Sequence, residues 1–387
     1  MMPVRICPSR LPRVGRLSCA QRATVHRGDR SRPRGVPVAI GRIPWVSSNT
    51  PRCRIVYDDD FRSDFAEGLR RDPSTEAMQR GFEELADTLG KLVDRPDEVS
   101  LVVAVSLASA VQRRQLGVAY HTDRGTGTVA ARTMRRADGR IDVIIESGFL
   151  TEVDAYGQGR FTAAGQPLLS RRGLAHMRKT IIHEAQHATM HQRNSGYDQF
   201  EVSEHASDYP RWDYAVAAKI LDEYRAEWNA AQQDSRQPPS VNHVLDVLGH
   251  LGSGLTVADA RYQAAPAPAA VATLMEDVYS ACTAYWTWMG YWAAQFRGNR
   301  ILVGAEIQNL NLWKRYVGST WEGLIQILDE VPIEDLSAPE AKLRQAAVRV
   351  AHHWVPQSLR QIGFRHVMSS GGEAFYVDRH DFPSERS

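Results

Sequence analysis

The chain has 387 residues, 43% of them hydrophobic, which is enough to bury one large core or two smaller ones. Its formal net charge of +2 hides an asymmetry: residues 1–54 hold twelve Arg, no Lys and one acid, Asp29, so they carry +11 and residues 55–387 carry −9. A mildly acidic body excludes nucleic acid as the main partner of the folded part, and four Cys, three of them (Cys7, Cys19, Cys53) before residue 55, exclude a disulfide framework.

Residues 1–54 are rich in Arg, Pro, Ser and Gly, without an apolar run of secretory length, and read as a basic disordered tail. The same composition suits an organellar transit peptide, and a translation start near Val56 is a third reading. Cys282 alone remains in the body, which suits a reducing, cytoplasmic setting. Residues 73–94 then read as a capped amphipathic helix, opened by Pro73 and Ser74, with Met78, Phe82, Leu85, Leu89 and Leu92 at helical spacing. Val99–Val105 is a β-branched run of strand length. Gly127–Met134 and Ile141–Glu146 flank Asp138-Gly139, a hairpin signal.

A helix is expected near 171–192, and within it lies His183-Glu184-Ala185-Gln186-His187. Residues four apart share one helix face, so His183 and His187 can offer two imidazoles to one metal ion, while Glu184 is placed to touch a water beside it. Ile181, Ala185 and Ala188 form an apolar stripe on the opposite face. Two solvent-facing His on a surface helix is the plainer alternative. A catalytic zinc wants a third protein ligand and an open position. The metzincin continuation fails, because its third His would fall at Arg193. Glu223, on a second helical run, is the expected third ligand. Glu227, one turn on, then suits a hydrogen bond to the distal nitrogen of a ligand His. Glu201, Glu204 and His205 are rivals for the third position.

These residues carry a resemblance. His183-Glu-Ala-Gln-His187 followed by Glu223-Tyr-Arg-Ala-Glu227 resembles the gluzincin clan of metallopeptidases, over about fifty residues. The clan's second motif ends in Asp where this chain has Glu227. A looser likeness is to small intracellular zincins of the ImmA/IrrE type. The resemblance implies Zn2+ as cofactor, a strand lining the cleft before the metal helix, and a peptide added to that sheet edge.

Further on, Gln232–Ser240 reads as a loop, Asn242–Leu251 as a short helix, Gly252–Gly254 as a turn, and Ala264–Ala269 as a hinge or helix start. Val278–Phe296 is uncharged over nineteen residues, but its Tyr, Trp and Gln content fits a buried aromatic helix better than a membrane span. Thr320–Glu330 and Pro339–His353 read as helices, Ser369–Phe375 as a Gly-containing end, and the chain beyond Asp378 as frayed. The adjacent His352 and His353 face different sides of a helix and make no metal pair.

The expected fold class is α+β: zincin-like, with a small mixed sheet, an active-site helix and a mainly helical C-terminal part. Residues 1–54 form the tail, 55–262 the metal-binding domain, and 263–387 a helical region packed on it. The expected function is a zinc metallopeptidase acting on a peptide or protein substrate, with no membrane partner. Glu184 is the general base, His183, His187 and Glu223 hold the metal, and a donor to the oxyanion comes from Tyr197, His205, Tyr209, Tyr214 or Tyr224. The alternative is a non-catalytic, regulatory interaction protein on the same scaffold.

Overall fold

The computed structural model describes residues 53–58, 74–115, 120, 122, 129–154, 159–160, 168–196, 211–234, 237–333, 336–337, 340–369 and 372–384. Four strands form the first sheet: β1 (Arg54–Tyr57), β2 (Val99–Ala104), β3 (Ala131–Arg135) and β4 (Ile141–Glu146), in the order β1-β2-β4-β3. β1, β2 and β4 run parallel, and β3 pairs antiparallel with β4 at the edge. The apolar runs in β2 and β4 follow from that topology. Central strands covered on both faces read as nearly continuous Val, Leu and Ile rather than as alternation, and Val99, Leu101, Val102, Val103, Val143, Ile144 and Ile145 are all fully buried.

Helices α1 (Ser74–Leu92), α2 (Leu107–Arg114) and α3 (Arg171–Gln192) pack on this sheet, α1 and α3 also on each other. Met78, Phe82, Leu85 and Leu89 of α1 form the expected stripe and are buried; Leu92 packs at its margin. The strand at 99, the hairpin around Asp138-Gly139 and the helix at 171–192 thus appear where the sequence places them, although residues 127–128 lie outside the described set.

The rest is mainly helical: α4 (Arg211–Gln233), α5 (Val241–Ala264), α6 (Pro268–Gly298), the short α7 (Ala305–Gln308) and α8 (Asn311–Tyr316), α9 (Gly318–Asp329), α10 (Glu340–Arg349) and α11 (Val355–Ile362). A π-helical segment, Val350–Trp354, joins α10 to α11. The protein is a mixed α+β fold with a small mixed sheet and a mainly helical C-terminal part. Its buried apolar residues form two main clusters. One holds the sheet, α1, α2 and the apolar side of α3; the other begins at Val216 of α4 and runs through α5 and α6 to Phe382. Residues on both sides of position 262 therefore share one core.

Helix α6 is the axis of the second cluster, with Tyr279, Tyr285, Trp286, Met289, Tyr291 and Trp292 at most 1% exposed. The expected aromatic core helix is observed. Among the described residues no helix is long and apolar enough to cross a membrane.

Four expectations need correction. The turn at Gly252–Gly254 is absent, because α5 runs unbroken from Val241 to Ala264. Gly252 serves close packing instead: a Cβ there would sit 2.1 Å from the carbonyl oxygen of Pro383. Residues 379–384 are not frayed, and 385–387 lie outside the described set. Tyr316 donates to Pro383 O at 2.7 Å, Thr256 donates to Phe382 O at 3.1 Å, and the Phe382 ring stacks on Phe364. The Gly-containing end is mostly strand: β5 (Phe364–Ser369) pairs antiparallel with β6 (Gly372–Val377), Ser369 opposite Gly372. Finally, Cys53 is buried in the first core and Arg54 already belongs to β1, so ordered structure enters the stretch assigned to the tail. A start at Val56 would remove half of that strand. Residues 1–52 lie outside the described set.

Candidate metal centre

The His pair sits in the middle of α3. Ser170 caps that helix, accepting from Gly173 N at 3.0 Å, which satisfies one of the donors a helix start leaves open. At the other end Gln192 Oε1 accepts from the backbone N–H of Asp94 and Arg95 at 3.0 and 3.2 Å, and its Nε2 donates to Arg95 O at 2.7 Å. The helix is therefore fixed at both ends. Its apolar side (Met177, Ile181, Ala185, Ala188) enters the first core, which turns His183 and His187 toward the second, while Glu184 lies toward the edge of the sheet.

What faces them is α4. Glu223 Oε2 lies 3.2 Å from His183 Nε2 and 3.3 Å from His187 Nε2, and the two imidazole nitrogens are 3.1 Å apart. Three donor atoms, one from each residue, thus close a small triangle. His183, His187 and Glu223 form a buried group that could hold a metal ion. Donor atoms about 2.0–2.1 Å from one ion at tetrahedral angles stand about 3.3–3.4 Å apart, close to these edges. The expected third ligand, Glu223, is therefore next to the His pair. The rivals Glu201, Glu204 and His205 lie outside the described residues, as do Tyr197 and Tyr209.

Glu227, one turn beyond Glu223, places Oε2 3.0 Å from His183 Nδ1, the bond expected for it. Lys219, one turn before Glu223, brings Nζ within 3.9 Å of Glu223 Oε1, the oxygen away from the triangle. Arg225, fully buried between the two acids, donates to Ser195 O at 2.6 Å and ties α4 to the end of α3. Thr133, on edge strand β3, donates to Glu184 Oε2 at 2.7 Å. The other oxygen of that carboxyl group, Oε1, is buried and has no hydrogen-bond partner among the described residues. A wholly buried carboxyl group with one oxygen unmatched calls for a donor, and water is the smallest one that could serve.

Helix α6 supplies two groups that the sequence reading did not assign to the site. Tyr291 donates to Glu223 Oε2 at 2.6 Å, with its hydroxyl 3.4 Å from His183 Nε2. Gln295 donates through Nε2 to Glu227 Oε1 at 2.9 Å. Two residues four apart on α6 thereby meet two acids four apart on α4. The helices can approach that closely because position 290 is Gly: a Cβ there would fall 2.8 Å from Ile220 O. The sequence signals that the two need partners but not which. Gln295 is an amide in an otherwise uncharged aromatic run, four residues after a Tyr, and each such polar group, once buried, needs a hydrogen-bond partner. Of the candidate oxyanion donors, Tyr214 is not at the triangle, and Tyr224, which shares a helix with Glu223, packs in the core as that placement implies. Tyr214 bonds to His352 at 2.6 Å, and Tyr224 bonds to Arg297 and is packed against Trp228.

The electrostatics follow from crowding. Burial alone would push the His183 imidazolium down, but its bonds to Glu223 and Glu227 outweigh that and raise its pKa to about 10. Burial would raise Glu223; His187, His183 and Lys219 outweigh it and hold its carboxyl group well below the usual range. Without an ion, a proton on His183 supplies the positive charge this cluster needs, and a metal ion would take the proton's place. Comparison with protein-family models, with curated proteins and with solved structures finds no match to this chain, so the reading rests on its own residues.

Proposed function

We propose that the chain is a zinc-dependent hydrolase of peptide bonds on a zincin-like scaffold. The observation that carries this reading is the buried triangle of His183, His187 and Glu223 beside a Glu184 carboxyl group with one unmatched oxygen. Two imidazoles and one carboxylate with room for a further ligand is the donor set of catalytic zinc, although the same set also serves iron. A bound zinc would supply Lewis acidity and an acidified water.

The chain's own groups then take defined parts. Glu184 accepts the proton of the attacking water through Oε1, while Thr133 holds Oε2 and keeps the carboxyl group aimed. Glu227 accepts from His183 Nδ1–H, which leaves Nε2 with its lone pair free for coordination. Lys219 draws on the outer oxygen of Glu223, so that Oε2 alone faces the triangle. Tyr291 donates to Glu223 Oε2 and holds the oxygen that faces the triangle; it would serve a substrate oxyanion only by turning its proton from that oxygen. β3, the edge strand that carries Thr133, is the strand against which an extended peptide segment would lie.

Elemental analysis of purified protein is expected to give close to one zinc per chain, lost in His187→Ala. Glu184→Gln is expected to keep that zinc and lose about 10²–10⁴-fold in turnover of a peptide library, the usual contribution of a positioned base. Full zinc occupancy with no cleavage above the Glu184→Gln control would favour the non-catalytic, regulatory reading. Stoichiometric iron instead of zinc would move the chain out of the hydrolases.

A further inference from the structure

We infer that Gln295 is a positioning residue for the metal centre, acting through Glu227 on His183. This rests on the metal-binding reading above and extends it by two contacts. The chain of bonds is short and buried: Gln295 Nε2 to Glu227 Oε1 at 2.9 Å, then Glu227 Oε2 to His183 Nδ1 at 3.0 Å. The three residues are 7%, 0% and 4% exposed.

The need for the extra link comes from the length of Glu227. A carboxylate held by a single bond can rotate about its last torsion, a broad two-fold well, and a Glu carries one more torsion than an Asp. Without Gln295, Oε1 would lose a donor, and with it part of what fixes the direction of Oε2 and the plane of the His183 ring. Gln295 removes the freedom by engaging Oε1. Its amide donates at that position, so Oε1 acts as acceptor and Oε2 stays an acceptor toward His183. The imidazole then carries its proton on Nδ1 and presents the Nε2 lone pair to the triangle. Both carboxylate oxygens of Glu227 are thereby used, one to be held and one to hold.

A buried amide could instead merely satisfy a buried acid, with no bearing on the metal. The two roles separate in a double-mutant cycle. The measurement is zinc affinity of the full chain, by competition with a chromophoric chelator, for wild type, Gln295→Met, Glu227→Gln and the double variant. Methionine nearly conserves volume and removes the donor. Gln295→Met is expected to weaken zinc binding about 10-fold or more, within the roughly 10–100-fold range for partners of a metal-bound His. The double variant is expected to bind no more weakly than Glu227→Gln alone, because that variant has one acceptor oxygen in place of two, and Gln295 can no longer hold one while the other accepts from His183. Gln295→Asn keeps the amide but withdraws it by one methylene, and it gives the same reading if the methionine variant does not fold. Unchanged affinity in the Gln295 variants, or losses that multiply in the double variant, would overturn the inference while leaving the metal centre standing. A wild-type chain that takes up no zinc would remove the metal centre itself, a distinct outcome.

Discussion

His183 has both ring nitrogens committed, Nδ1 to Glu227 and Nε2 to the triangle, and its behaviour with pH differs with and without metal. In the metal-free chain its pKa stands at about 10, above an unfolded value of about 6.5. A raised pKa means the folded state holds the proton more tightly. The stability it contributes is complete below pH 6.5 and is lost as pH rises through 10. The metal-free protein is therefore expected to show a lower urea midpoint near pH 9.5 than near pH 6, with the difference reduced in His183→Gln. An equal decline in both proteins would show that other groups set the slope. Zinc affinity runs the opposite way, weakening as pH falls through 10 and His183 takes up its proton, since a metal and a proton compete for the same nitrogen.

At the scale of elements, the centre is a meeting of three helices, and the helices differ in how visible they are in the sequence. α3 is legible because its chemistry is local: a His pair four residues apart needs only helical geometry to converge. Glu223 and Glu227 are legible for the same reason, as one pair on one face of α4. Tyr291 and Gln295 are not, since they lie 68 residues beyond the acids they bind and sit in a helix buried all round, where aromatic spacing reports core packing alone. The α4–α6 contact depends on a single missing side chain. Gly290→Ala would put a methyl group against Ile220 O, one turn before Glu223. The expected cost is about 1–3 kcal/mol of stability, the usual penalty of overpacking, together with weaker zinc binding as Tyr291 and Gln295 are pushed off the acids. Thermal unfolding of the metal-free variant and its zinc affinity check the two effects separately. A stable variant of wild-type affinity would mean that the helices have slack at this point.

Taken whole, the molecule has two apolar cores, and the metal triangle lies between them. His183 and His187 come from the helix whose apolar side completes the first core, while Glu223 comes from the helix that opens the second. Arg225 to Ser195 and the small cluster of Met190, Ala226 and Leu336 are further links across that divide. An ion bound by the triangle would therefore cross-link two units rather than decorate one, and its binding free energy would oppose their separation. For a ligand that binds the folded form alone, the added stability is about 2.7 kcal/mol at 100 times Kd and about 4.1 kcal/mol at 1,000 times Kd. The unfolding midpoint is accordingly expected to rise with zinc concentration and to be insensitive to it in His187→Ala. Hydrogen exchange locates the effect. On removing zinc with a chelator, protection is expected to fall most along the facing parts of α3 and α4, and least in β2 and β4, whose protection derives from the first core alone. If zinc instead protected α3 while leaving α4 unchanged, Glu223 would not be a ligand, and the cross-link between the two cores would not exist.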